Sequence, residues 1–263
     1  MAYGTLNAGA ITPGSGATLT ISEAVTFSGA VTGKFKLARN EGLVVKYASA
    51  TTVDIDADFL TVFDSNGYAV ILPTVNLTAN ITSSGVNGLD TGSEAAIWYH
   101  IYVIYNGTTV ASLLSASATS PTMPSGYTFK KYVGAVYNPS SSFRDFHQVG
   151  NSAVFLLINV LSAATSTGFA VVDLSTAIPT LATRVEGTVL SVDSGGTTAG
   201  IYVASKVGGT GRQFFYSSVV GSSNNTIRSG FSLNLLEVQK LYYANAGDNS
   251  DIEISSYSFS NII

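Results

Sequence analysis

IWYHIYVIYNGTTVASLLSAS, residues 97–117, reads as two strands around an Asn-Gly pair. Asn106-Gly107 suits a two-residue type I′ turn, which both residues enter with positive φ. That turn pairs Tyr105 with Thr108, and the register follows outward. One face then holds Tyr99, Ile101, Val103 and Tyr105 opposite Leu114, Ser112, Val110 and Thr108. The other holds Trp98, His100, Tyr102 and Ile104 opposite Ser115, Leu113, Ala111 and Thr109. A half-buried strand alternates apolar and polar residues, yet this one is apolar or aromatic at nearly every position. The first face has the more aliphatic middle and is expected to meet the core. The second carries Trp, His and Tyr, whose apolar bodies and polar tips suit interfaces. Trp98, His100, Tyr102 and Ile104 are therefore the candidate subunit interface, covered by a neighbouring subunit or by another part of the chain.

The same logic extends along the sequence. Val53, Ile55 and Ala57 alternate with Asp54, Asp56 and Asp58, and Asn66-Gly67 then signals a hairpin. RVEGTVLSVDSGGTTAGIYVASK repeats the pattern around Gly195-Gly196. At the C-terminal end Ile252 and Ile254 alternate, and the phase resumes at Tyr257 and Phe259, a slip near Ser255-Ser256 that predicts a bulge. NLLEVQKLYYANAGD could form a short helix from Leu235 to Ala244, but the phase of Phe231, Leu233 and Leu235 argues for strand instead. The expected fold is all-β, an antiparallel sandwich of jelly-roll type. Residues 1–35, poor in bulky apolar side chains, are expected to form an assembly arm. NPSSSFRDFHQVGNS (Asn138–Ser152) marks an expected boundary between β domains at 36–148 and 149–263.

Composition bounds the partners. Charged residues make up 11% of the 263, against about 25% in an ordinary soluble chain, and mean hydropathy is +0.32. A chain with so few charges is expected to hide surface against other chains. The longest apolar run, around Ala153–Leu161, is interrupted by Asn159 and is too short to span a membrane. Net charge is −4 and no basic cluster exceeds Lys130-Lys131, so nucleic-acid binding lacks its electrostatic footprint. No basic segment precedes an apolar run at the N-terminus, so no secretory signal is expected. Absence of cysteine excludes disulfides and thiolate chemistry.

Candidate chemistry is thin. DIDAD lacks the glycine and glutamate of a calcium loop and reads as a solvated strand face that discourages edge pairing. GAVTGKF (29–35) is one residue short of a phosphate loop and ends in Phe where a hydroxyl is needed. GGTG (208–211) reads as a loop. Asp145 and His147 sit two apart on one strand face, without an activated serine nearby. His100 is expected to be packed. No catalytic residue, metal site or cofactor is assigned, and the chain is expected not to be an enzyme.

ARNEGLVVKYASATTVDIDADFLTV, LDTGSEAA, WYHIYVIYNGTTV, SATSPTMPSGYT, VGAVYN and FRDFHQVGN, between Ala38 and Asn151, resemble a segment of tail-fibre or tail-associated virion proteins of tailed bacteriophages. TLTISEAVTFSGAVTG resembles their threonine-rich lead-in. The resemblance implies a non-enzymatic β building block of the phage particle, made in the host cytoplasm and homo-oligomeric, with a trimer favoured. It implies contacts with other tail or capsid proteins. A spike-type or adaptor protein is expected. The alternatives are a capsid decoration (cement) protein and a carbohydrate-binding module that stacks exposed Tyr and Trp on host surface glycans.

Overall fold

β-Branched and aromatic residues, punctuated by Gly, Asn and Ser, favour pleated strands over helix. The computed structural model describes residues 40–193, 199–217, 225–247 and 249–260. It contains strands and no helix among them. The expected arm, residues 1–35, lies outside the described residues. In chain order the strands are β1 (Asn40–Glu41), β2 (Val44–Ser49), β3 (Thr52–Phe63), β4 (Ala69–Asn80), β5 (Trp98–Tyr105), β6 (Val110–Ser115), β7 (Phe129–Tyr137) and β8 (His147–Val149). They continue as β9 (Ser152–Ala164), β10 (Ala170–Asp173), β11 (Arg184–Asp193), β12 (Ala199–Ala204), β13 (Gln213–Ser217), β14 (Asn225–Asn234), β15 (Lys240–Asn245) and β16 (Asn249–Ser258).

The pairings between these strands are antiparallel. A 12-stranded sheet runs β14-β11-β16-β9-β8-β2-β3-β7-β5-β6, with β1 and β4 also on β3. A four-stranded sheet runs β10-β15-β12-β13. β12 lies against β11 and β14, so Val185, Val189, Phe231 and Leu233 share one buried cluster with Ile201, Val203, Leu241 and Tyr243. The architecture is all-β and of antiparallel sandwich type, as expected.

Three local readings meet the structure differently. The hairpin at Asn66-Gly67 forms where expected: Gly67 takes φ +85°, and Asp64 Oδ1 accepts the amides of Asn66 (2.9 Å) and Tyr68 (2.8 Å). The β5–β6 hairpin does form, but its reversal is centred on Gly107-Thr108, so Tyr105 pairs with Val110 rather than Thr108. Gly107 has φ +96° and Asn106 does not share it. The Asn106 side chain explains this, since its Oδ1 accepts the amides of Thr108 (2.9 Å) and Thr109 (2.7 Å), an alternative to the backbone turn. A turn displaced by one residue shifts the register by two, so each side chain keeps its predicted face. Gly195-Gly196 falls outside the described residues, and the flanking β11 and β12 belong to different sheets.

The expected bulge is present. Glu186 pairs with Ser256 and Gly187 with Ile254, which leaves Ser255 extra. The slip turns Tyr257 inward after Ile252 and Ile254, all three being buried. Gly187 permits it, because a Cβ there would collide with the carbonyl oxygen of Glu253. A second bulge leaves Val133 extra between Tyr132 and Gly134 on β7. Gln148 on β8, fully buried, donates to the Val133 carbonyl (2.7 Å) and to that of Gly150 (2.8 Å).

The segment expected to separate two β domains is a packed corner. Phe143 and Phe146 are buried, and Asn138 is fully buried. Its Nδ2 donates to Glu94 Oε1 (2.9 Å) and the Ala95 carbonyl (3.0 Å), and its Oδ1 accepts the Ser142 amide. β8 then pairs with β2 on one side and β9 on the other. The sheet is thus continuous across residues 148 and 149, and the described residues cluster as one unit.

Candidate functional site

β5 lies between β7 and β6, and both its faces are covered by this chain. Ile101 and Val103 are fully buried on the first face. On the second, His100 is 3% exposed, Tyr102 2% and Ile104 0%, with Trp98 half-buried. The cover over Trp98 includes Tyr257 of β16, whose ring meets the indole edge-on at 6.0 Å, and Tyr137 at 5.2 Å. Trp98 Nε1 donates to the Ser175 carbonyl at 2.7 Å. Tyr132 bridges Tyr102 (5.6 Å) and Phe259 (5.5 Å) edge-on. Tyr257 donates to the Ala135 carbonyl (3.2 Å), and Tyr102 to that of Ser117 (3.0 Å). The expected subunit interface at Trp98, His100, Tyr102 and Ile104 is therefore an internal seam: the second of the two expected covers, another part of the chain, is the one found.

Burial sets the electrostatics of the seam. Desolvation pulls the His100 imidazole down to about 4 and raises the phenols of Tyr102, Tyr132 and Tyr257. His100 Nδ1 lies 3.5 Å from the Tyr132 hydroxyl. All four are neutral near pH 7, which suits packing.

Beside the seam opens a cleft of about 500 Å³, lined by Phe63, Asp64, Tyr102, Lys130, Tyr132 and Leu181 among others. Its size is that of a small-ligand site. Lys130 Nζ donates to the Thr119 carbonyl at 3.3 Å. Lys131, 1% exposed, points its ammonium toward the Phe63 ring, and desolvation lowers its pKa to about 8. Tyr102 and Tyr132 are buried among other rings, so they offer the cleft no open face for stacking. Exposed rings are Tyr68 at the β3–β4 turn (45%) and, away from the cleft, Phe214 and Tyr216 on β13. Tyr202 and Phe214 stack at 4.0 Å and 14°, and Phe214 and Tyr216 lie nearly parallel at 5.2 Å.

The remaining sequence candidates stay apart. Asp54, Asp56 and Asp58 line the wet side of β3, opposite buried Val53, Ile55 and Ala57. Asp54 accepts from Thr78 Oγ1 (2.8 Å) and Asp56 lies 3.7 Å from Lys46 Nζ. β3 is an interior strand, paired with β2 and β4, so these carboxylates do not guard an edge. Asp145 and His147 are both exposed, either side of buried Phe146. GGTG forms the β12–β13 turn, with Gly209 and Gly211 at positive φ. GAVTGKF lies outside the described residues. Among the described residues no group of three or more His, Asp or Glu is placed to hold a metal ion.

Sequence reasoning weighed the run around Ala153–Leu161 only against membrane spans, and missed what the structure makes of it. Ala153 is buried, but Val154 is 52% exposed, Leu156 83% and Leu157 47%. The signal was available: no charged residue occurs from Gln148 to Val172.

No family model matches the chain, and no curated protein is significantly similar to it.

Proposed function

We propose that this chain is a non-enzymatic structural component of a tailed-phage particle, of the spike-type or adaptor kind. The observation that carries the reading is the bare aliphatic strip on β9 beside a complete core. A fold whose aromatic surplus is already buried internally still leaves apolar surface for assembly. The low charge and the resemblance of residues 38–151 to tail-associated proteins support the same reading. In it, residues 1–35 act as an assembly arm, the partners are further copies of the chain and other virion proteins, and the protein resides in the particle. Imaging particles with an antibody fragment against this chain tests it. Fixed copy number at the tail supports the reading, fixed copy number over the head makes the chain a decoration protein, and absence from particles overturns both.

The Tyr202–Phe214–Tyr216 ladder favours a second reading, recognition of host surface glycans. Tyr216 is 59% exposed and offers an aromatic surface to a sugar. Glycan-array binding that disappears in Tyr216→Ala would support it.

A further inference from the structure

We infer that the outer face of β9 docks a second copy of this chain. The inference deepens the structural reading by naming its self-association surface. Val149 and Ser152 are paired across β8 and β9, as are His147 and Val154. Paired residues share a face, so exposed Val149 and Val154 stand on one side of the sheet, and Leu156 continues it. The irregularity between Val154 and Ile158, where β9 slips against β16, pushes Leu157 out beside them. At exposures of 61% for Val149, 52% for Val154, 83% for Leu156 and 47% for Leu157, these side chains leave roughly 400 Å² of aliphatic surface in water. That lies within the range of the largest, often functional, patch on an ordinary monomer and is about half of what each partner brings to a stable interface.

What surrounds the patch selects the occupant. Beyond Val154 the edge of β9 opposite β16 has no strand partner among the described residues. Natural edges are blunted by lysine, proline, inward charge or bulges; Gln148 to Val172 contain no lysine, proline or other charged residue, and β9 carries only the bulges of its pairing with β16. The rim is polar, with exposed His147 on one side and Glu186 beyond Ser256 on the other. An uncharged aliphatic strip has no complementarity to offer an acidic or basic partner. It matches an equal strip, and its own copy is the one surface certain to carry that strip at equal concentration. Two copies meeting on this face bury the strip twice, roughly 800 Å² in total, the size of a weak, concentration-dependent contact.

The test is light scattering on the purified full-length protein, from about 1 to 100 μM, the range in which modest interfaces of this size associate. The wild type should show a mass that is a multiple of the chain's and falls on dilution. Leu156→Lys should weaken association at least tenfold, with unchanged circular dichroism and unfolding midpoint, because Leu156 touches so little of its own chain. Leu156→Met, which keeps the apolar side chain, should associate like wild type. A wild type monomeric throughout the range, or an oligomer indifferent to both Leu156→Lys and Leu157→Lys, overturns the inference. Because purified protein is used, either failure leaves the place of the chain in a particle to be decided separately by imaging.

Discussion

β5 and β9 are both strands with too many apolar residues for one buried face, and the molecule treats them in opposite ways. The surplus face of β5 carries Trp98, His100 and Tyr102, whose polar tips find partners within the chain: the Ser175 carbonyl, the Tyr132 hydroxyl and the Ser117 carbonyl. The surplus face of β9 carries Val154, Leu156 and Leu157, which have no polar tips and stay about half exposed or more. A buried phenol or indole needs a partner at a fixed place, and a folded chain can supply one reliably. An aliphatic strip requires only apolar area, which a second molecule can provide. At about 25 cal/mol per Å², the β9 strip withholds on the order of 10 kcal/mol of gross burial, much of it offset by the freedom lost on association.

The largest expected effect breaks the seam. Tyr257→Ala removes a fully buried ring that packs on Trp98 and Phe259 and bonds the Ala135 carbonyl. It should cost about 4 kcal/mol in urea unfolding, within the range for large-to-small aromatic substitutions. A loss under about 1 kcal/mol would mean that the seam is not a core.

Next comes pH. Unfolded His100 takes a proton near 6.5, but in the fold burial holds it at about 4. Between those values the unfolded chain binds more protons, so stability falls as pH drops from 6.5 and this loss is complete below about 4. The shift corresponds to about 3 kcal/mol. Urea midpoints measured from pH 7 to 4 should decline less steeply in His100→Phe than in wild type. Equal slopes would place the imidazole in water.

A smaller effect sharpens the link between backbone and seam. Gly187→Ala puts a Cβ against the Glu253 carbonyl oxygen, beside the bulge that turns Tyr257 inward. It should cost about 2 kcal/mol by overpacking and alter the near-ultraviolet dichroism of the aromatic cluster. A neutral substitution with an unchanged spectrum would separate the bulge from the seam.

Much of this was legible because it is local. The strand around Val53, the hairpin at Asn66-Gly67 and the slip at Ser255 are all written in alternation and turn residues, whereas the strand read through Leu235 stops at Asn234, and residues 235–239 reverse the chain before β15 begins at Lys240. The β5–β6 turn was misplaced by one residue because Asn106 bonds through its side chain, which propensity alone does not reveal. The corner at Asn138–Phe146 looked like a linker, since Pro and Ser conceal that Phe143, Phe146 and Asn138 are buried. The cover of β5 was out of reach of local reading: Trp98 meets Tyr257 across more than half the chain, and only the sheet order brings them together. β9 needed the same knowledge, because its lack of charge is equally compatible with burial.

Hydrogen–deuterium exchange of the wild-type protein, compared at about 1 and 100 μM, tests the contrast between β5 and β9 most directly. Amides of residues 98–105 and 252–258 should be strongly protected at both concentrations, since one molecule supplies the whole seam. Amides of residues 155–161 should exchange faster at the lower concentration and gain protection at the higher. Protection at 98–105 that depends on concentration, with none gained at 155–161, would mean that the subunit contact lies on β5 and that the roles of the two strands have been reversed.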